Sequence, residues 1–377
     1  MKSGRSIKKK RLEGFGRRVA SRLLALLASR HPVRNGTLDK HSIKRAVVVR
    51  QHNQFGDVMC TIPLLRALKT RLNLAELAVV ASPQNIDAVR GCKYVDRIVN
   101  YDKLAFYKTP SLFLKFVKDL RRDFDLLLVP SNVSMSLTND VMAFIIKAKT
   151  KIGPKSLEDK PNKTGGVYNI ALDLQWKGGI THQSHRNMQV AFPLGIDPAK
   201  ESDELEYDVD GQLSDEVSAF IDTAGRKSQL RIAIHAGAGK AGNRWNVWNF
   251  AKLSELIHDS LGAELYFTDG PFDHKIVDDL TNLIKIPFVR VRDKTIQFIA
   301  ALLRQMDLAI TNDTGIMHLS AAVGTPTLSL FGPTDPLQWA PLGSKHRFIF
   351  GKKGDINSIE VDKVMNIVRK LATKSKS

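Results

Sequence analysis

The chain has 377 residues, 43% of them hydrophobic and 25% charged, with a formal net charge of +19. That length exceeds what one hydrophobic core usually serves, so two domains are expected. The composition is that of an ordinary folded protein. It excludes a membrane-spanning helix, which needs roughly 20 apolar residues in a row, and two cysteines (Cys60 and Cys92) exclude a disulfide framework.

In chain order the first segment is an arm, residues 1–45. It holds fourteen Lys or Arg against Glu13 and Asp39, or +12 of the +19. A nucleic-acid-binding domain more often spreads its basic residues over a folded face, so no nucleic-acid partner is expected. Phe15, Val19, Leu23 and Leu27 recur at every fourth position, flanked by Arg17, Arg18, Arg22 and Arg30. This is the pattern of a basic amphipathic helix suited to an anionic membrane surface; the alternative is a solvated tail. Leu23–Ala28 is the only signal-peptide-like run. The arginines crowding it, and the lack of a small-x-small cleavage site, argue against that reading.

Residues 46–210 alternate short apolar runs with amphipathic segments. Strands are predicted at Ala46–Arg50, Leu77–Ala81, Arg97–Val99 and Leu126–Pro130, and helices at Ile62–Leu72, Ile86–Arg90, Leu112–Arg122 and Val141–Lys147. From about Gly153 to Leu230 the periodicity weakens, and long loops are expected there. The alternation restarts in residues 211–350. Strands are predicted at Arg231–His235, Glu264–Thr268, Phe288–Val291, Leu308–Thr311 and Thr327–Leu330, with helices at Val247–Leu261, His274–Ile284, Ile296–Arg304 and Ile316–Val323. Residues 351–377 read as a C-terminal helix and basic tail. Two successive α/β domains with parallel sheets follow from this rhythm. In such folds ligands bind beyond the carboxyl ends of the strands.

Three strand-to-helix junctions carry candidate chemistry. At Arg50–Asp57, Gly56 permits a tight turn, and Asp57 either caps the next helix or accepts a proton from an attacking hydroxyl. The loop His235–Trp245 is rich in small residues and carries Lys240 and Arg244, and the Arg fork is suited to phosphate oxygens. At Thr311–Leu319 an apolar strand runs through Asp313, Thr314 and Gly315 into a helix. The free N–H groups there favour a diphosphate, with Asp313 capping the helix and His318 on its first turn. A second rigid turn, Phe331–Pro336, follows the next strand.

Together these junctions resemble glycosyltransferase family 9, the ADP-heptose:lipopolysaccharide heptosyltransferases. The resemblance rests on Phe55-Gly56-Asp57-Val58 with Thr61–Lys69, on Arg244-Trp245, and above all on the block from Asn312 through Gly324-Thr325-Pro326 to Pro336. It spans roughly residues 45–350 and leaves the arm outside. It implies a GT-B fold, two Rossmann-like parallel-sheet domains facing across a cleft, with the acceptor on the N-terminal domain and the nucleotide sugar on the C-terminal one. The implied reaction inverts the anomeric centre without a metal or other cofactor.

By the same resemblance Asp57 looks like the catalytic base and Arg244 like the group that stabilises the departing diphosphate. Asp313, Thr314, Gly315, Met317 and His318, with Lys240, look like the donor cradle. Asp273, or Asp269, is placed to bond the ribose. Gly56, Asn53 and Gln54 border the acceptor side, and His185, in His185-Arg186-Asn187, is placed to reach it. The loop between Arg50 and Gly56 is one residue longer than the commoner family pattern. It carries His52-Asn53-Gln54 where small residues are frequent. The function implied is heptose transfer from ADP-heptose to the inner core of an anionic, lipid-anchored lipopolysaccharide precursor, by a cytoplasmic enzyme held on the inner membrane by its arm. A same-fold glycosyltransferase using another nucleotide sugar for a different surface glycan is the first alternative, and a non-catalytic nucleotide- or nucleic-acid-binding protein the second.

Overall fold

The computed structural model describes residues 21–27, 38–51, 54–131, 133–176, 182–224 and 228–374. These residues form two compact units. One runs to Ser202, except that Gln54–Ile62 and Gly91–Lys93 group with the other, which takes everything from Asp203 onward. Residues 203–210, expected with the first half, are tied into the second unit by bonds from Tyr207 N–H to the Ala322 carbonyl and Asp208 N–H to the Gly91 carbonyl.

The first unit contains helix α1 (21–27) and strands β1 (Arg45–Val49), β2 (Glu76–Ala81), β3 (Arg97–Asn100), β4 (Phe124–Leu128), β5 (Ala148–Leu157), β6 (Lys160–Pro161) and β7 (Ile170–Leu174). Its further helices are α3 (Ile62–Arg71), α4 (Ile86–Arg90), α5 (Lys103–Lys108), α6 (Pro110–Leu120), α7 (Leu137–Ile145) and α8 (Gln183–Met188). α2 (Phe55–Met59) belongs with the second unit. The sheet order is β3-β2-β1-β4-β5-β6, with β7 also paired to β5, and every pairing but β5–β6 is parallel. β1 and β2 are apolar along nearly their whole length because helices cover both faces of a parallel sheet. On one face, Val47, Val49, Ala78, Val80, Leu127 and Val129 form a core with Phe116 and Leu120 of α6.

The second unit contains α9 (Gly211–Ala224), β8 (Arg231–His235), α10 (Val247–Leu261), β9 (Glu264–Asp269), α11 (His274–Thr281) and β10 (Val289–Arg292). It continues with α12 (Ile296–Arg304), β11 (Leu308–Asn312), α13 (Gly315–Ala322), β12 (Thr327–Phe331), α14 (Pro336–Trp339), β13 (His346–Phe350) and α15 (Val361–Lys374). Its six strands lie parallel in the order β10-β9-β8-β11-β12-β13, the doubly wound order of dinucleotide-type folds. Local sequence sets the helix limits. Asn246 accepts the Trp248 N–H at the start of α10, and Gly262 ends that helix in the left-handed conformation (φ 62°).

The stretch expected to hold long loops contains the second half of β5, then β6, β7, α8 and α9. Its polar residues disguised it: β5 lies towards one edge of its sheet and its buried positions do not alternate cleanly, so neither period is clear. β13 is an edge strand with only Ile349 buried; its short run Phe348-Ile349-Phe350 was not among the predicted strands. α15 is part of the second core, through Val364, Met365 and Val368, rather than an appendage. Of the arm, Leu24 on α1 is buried in the first unit's core while Leu23 and Leu27 face solvent. Phe15, Val19, Arg17, Arg18 and Arg30 lie outside the described residues.

Candidate active site

The site is built where β8, β9, β11 and β12 end. Asn312, the last residue of β11, fixes the neighbouring loop by donating Nδ2–H to the Ala236 carbonyl (2.8 Å) and accepting the Trp245 N–H on Oδ1 (3.2 Å). Trp245 is itself immobilised, fully buried with its indole N–H on the Ile359 carbonyl at 3.0 Å. The loop from Ala236 to Arg244 is therefore held against the start of α13. A buried backbone-to-side-chain bond of this kind adds about 1 kcal/mol and costs more to leave unmade.

Asp313 follows Asn312 but does not cap α13; Thr314 holds the cap position, in extended conformation and with no side-chain capping bond. The Asp313 carboxylate instead accepts from Asn243 Nδ2 at 2.7 Å and from the Thr334 hydroxyl. Burial raises its pKa, against the lowering effects of the Thr334 bond and the Lys240 charge. Asn243 and Thr334 are site residues that sequence reasoning passed over, although both stand in the two motifs that drew notice. Lys240 is exposed at the loop's tip. Arg244 is half-buried and donates its Nε–H to the Ala238 carbonyl at 2.7 Å. That bond fixes the base of the guanidinium and leaves its two NH2 groups as the fork.

Asp273 lies over the same loop, so close to Gly237 that a Cβ there would overlap its carboxylate. Its Oδ2 is 3.9 Å from Nε2 of His235, and Nδ1 of His235 lies 3.0 Å from the Thr268 carbonyl. Burial lowers the pKa of His235, outweighing the acidic neighbours. Beside Asp273, Phe272 is 94% exposed, an aromatic face with no packing of its own. Asp269 is spoken for: its fully buried carboxylate pairs with Arg290 at 2.7 Å. Asp273 is thus the acid of the two that is open to a ligand's hydroxyls.

The segment from the first half meets α13 directly. Gly56 lies inside α2 with helical rather than turn backbone, so its role is the missing side chain. A Cβ on Gly56 would sit 2.8 Å from Cδ2 of His318, and one on Gly315 would sit 2.9 Å from Cδ1 of Phe55. Each glycine receives the other helix's ring, and the two helix starts interlock. Asp57 is in the first turn of α2, not at its cap, and is only 5% exposed. His318 is buried between Cys60, whose Sγ is 3.8 Å from Nδ1, and the Trp339 ring. It packs against both. Met317 is likewise fully buried, against Phe331 and Ala340. Helix phase decides both positions: Thr314 and Gly315 stay half-exposed while the next turn faces inward.

Gln54 is exposed at the start of α2; Asn53 lies outside the described residues. His185 is half-buried on α8 of the first unit, next to His182, which caps that helix. The first unit also has a cavity of about 440 Å³ lined by Arg22, Leu137, Asp140, Asn162, Lys163 and Thr164, among others. Among the described residues, no three His, Cys, Asp or Glu side chains converge so as to hold a metal ion, and no helix is long and apolar enough to cross a membrane.

The second unit thus offers a helix start and two basic side chains for a diphosphate, acids beside them for hydroxyls, and a buried carboxylate at the interlocked helix. Among solved structures, a family 9 glycosyl transferase from Veillonella parvula DSM 2008 has the same fold, with a TM-score of 0.77 at 18% identity over 89% of this chain and 99% of that one. Escherichia coli ADP-heptose lps heptosyltransferase II gives 0.73 at 18% identity, over 88% and 100%. The class is that of two-sheet α/β glycosyltransferases. The pattern of glycosyltransferase family 9 (heptosyltransferase) matches residues 113–366, and the chain belongs to that family. Lipopolysaccharide heptosyltransferase 3 of E. coli is 25% identical over 306 residues, 76% of this chain and 83% of the relative. A lipopolysaccharide core heptosyltransferase of Haemophilus influenzae is 25% identical over 248 residues, 65% and 67% respectively.

Proposed function

We propose that the protein transfers a heptose from ADP-heptose to the inner core of a lipid-anchored lipopolysaccharide precursor, inverting the anomeric centre without a metal. The observation that carries this reading is the interlock of α2 with α13, which fixes the Asp57 backbone against the Thr314–Gly315 turn. In the proposed step the Asp57 carboxylate takes the proton of the acceptor hydroxyl. The hydroxyl oxygen bonds to the anomeric carbon as its bond to the phosphate oxygen breaks, and ADP departs with that electron pair. Arg244, Lys240, the Thr314 hydroxyl and the α13 N–H groups meet the charge that develops on the diphosphate. Donors held in place where charge develops supply much of the rate enhancement in such reactions.

Asp273 would accept from the ribose hydroxyls, with Phe272 presenting a stacking face to the base. Asp313, oriented by Asn243 and Thr334, would face the sugar. Gln54, Asn53 and His185 would border the acceptor, as the family resemblance implies. The names of the relatives support the heptose and the lipopolysaccharide acceptor. The basic arm supports attachment to the cytoplasmic face of the inner membrane. The unusual His52-Asn53-Gln54 loop favours, as the second reading, a different sugar on the same machinery.

A transfer screen across ADP-, UDP- and GDP-sugars tests the proposal. Turnover with ADP-heptose alone is expected; turnover with a UDP- or GDP-sugar and none with ADP-heptose overturns the donor assignment.

A further inference from the structure

Several basic side chains on the surface of the first unit have an acidic neighbour: Lys69 with Asp96, Arg71 with Glu201, Lys149 with Asp125. The α5–α6 hairpin departs from this. Lys103, Lys108, Lys115, Lys118, Arg121 and Arg122 are all exposed, and none is ion-paired among the described residues. The only acid within that stretch is Asp119. Six cations with one acid between them leave this hairpin strongly positive.

The same helix exposes large apolar groups. Phe116 and Leu120 of α6 enter the core, whereas Leu112, Phe113 and Leu114 face outward, Leu114 being 68% exposed. α1 repeats the pattern on the same face of the sheet: Leu24 joins the core that holds Phe116, while Leu23, Leu26 and Leu27 stay exposed. Unpaired cations alone would suit any polyanion. Leucines and a phenylalanine held out among them suit a partner with an anionic surface and an apolar interior beneath it.

We infer that the exposed faces of α6 and α1 form a docking surface for an anionic lipid bilayer, cations at the headgroups and Leu112, Leu114 and Leu23 at the acyl boundary. This rests on the membrane reading above and adds to it: the folded first unit itself makes contact, so that the arm is not the sole anchor.

The test uses the full chain with phosphatidylcholine vesicles and with phosphatidylcholine–phosphatidylglycerol vesicles. Lys115→Glu/Lys118→Glu should weaken binding to the anionic vesicles by about 25-fold or more, at about fivefold per cation, and this loss should shrink at high salt. Leu112→Ser/Leu114→Ser should weaken it about tenfold with little salt dependence. Both variants should keep wild-type transfer to a soluble acceptor analogue, which shows that they are folded. A third variant, Arg17→Glu/Arg18→Glu, reports on the arm. If it abolishes vesicle binding while the α6 variants bind as wild type, the docking surface is refuted and the membrane reading stands. If the wild-type chain does not bind anionic vesicles, both fall. Loss of binding to a nucleic-acid duplex in the α6 variants, with vesicle binding intact, also overturns the proposal.

Discussion

Replacing Gly56 with alanine adds a single methyl group at the point where α2 meets α13. That carbon would stand 2.8 Å from Cδ2 and 3.1 Å from Nε2 of His318, against an ordinary separation of about 3.5–4.0 Å. The shortfall is roughly 0.7–1.2 Å on the carbon contact. His318 is 2% exposed and hemmed by Cys60 and Trp339, so the ring has little room and α2 must give way. Two stability effects oppose each other: overpacking costs about 1–3 kcal/mol, while glycine to alanine within a helix gains about 1 kcal/mol. The net change in stability is therefore small, up to about 2 kcal/mol. The larger consequence is positional, because α2 carries Asp57. A displacement of several tenths of an ångström to 1 Å lowers kcat by up to about 100-fold. ADP affinity should be unchanged, since the Thr314 turn and the Arg244 loop are held by Asn312 and Asn243. Steady-state transfer kinetics beside calorimetric titration with ADP measures both quantities. Gly56→Ala/His318→Ala, which frees the space, should recover part of kcat. A folded Gly56→Ala enzyme with wild-type kcat would refute the positional argument, as would an equal loss in the double variant.

Asp57→Asn should lower turnover by about 10²–10⁴-fold, the usual worth of a general base, with ADP binding retained in the same titration. Asn243→Leu removes a donor to a buried carboxylate, worth about 1.5–3 kcal/mol; it should raise the pKa of Asp313 further, moving the acidic limb of the rate profile to higher pH. Phe272→Ala should raise the donor KM several-fold and leave Tm within about a degree, since the ring packs on nothing. A different pH effect concerns His346, whose pKa burial lowers to about 4, helped by Lys345 and Arg347. The unfolded chain binds this proton below its ordinary value of about 6.5 and the folded chain does not. Stability is thus full above that value and falls as pH drops towards 4, by about 2 kcal/mol at pH 5. Buried His235, shifted the same way, adds to the loss. Urea unfolding at pH 7 and pH 5 should show His346→Gln losing less stability than wild type; equal losses would exclude the assignment.

The parts legible in the sequence are those whose cause is local. Strands buried on both faces must be apolar throughout, so β1, β2, β8 and β11 could be read to within a residue or two, as could the limits of α10 and α12. The Asp313–His318 turn was legible because strand end, glycine and helix start are adjacent in the chain. Elements with one wet face were not: β13 buries a single residue, and β5 carries lysines among its buried positions.

Within the site, the residue types and the two basic side chains followed from the sequence alone, and so did the family resemblance. The tertiary structure decided which of them are packed away and which stay open to solvent. Helix phase depends on what α13 packs against, and one such neighbour is α2, brought from more than 250 residues away; this turns His318 and Met317 inward and leaves Thr314 half-exposed. Asn243 meets Asp313 across 70 residues, and no spacing rule announces such a bond. Gly56 and Gly237 look like turn glycines in the chain, yet each is required for a side chain that arrives from elsewhere, His318 in one case and Asp273 in the other. The sequence by itself determined the sheets, the turns and the chemistry available. Only packing between distant segments determined which groups that chemistry can use.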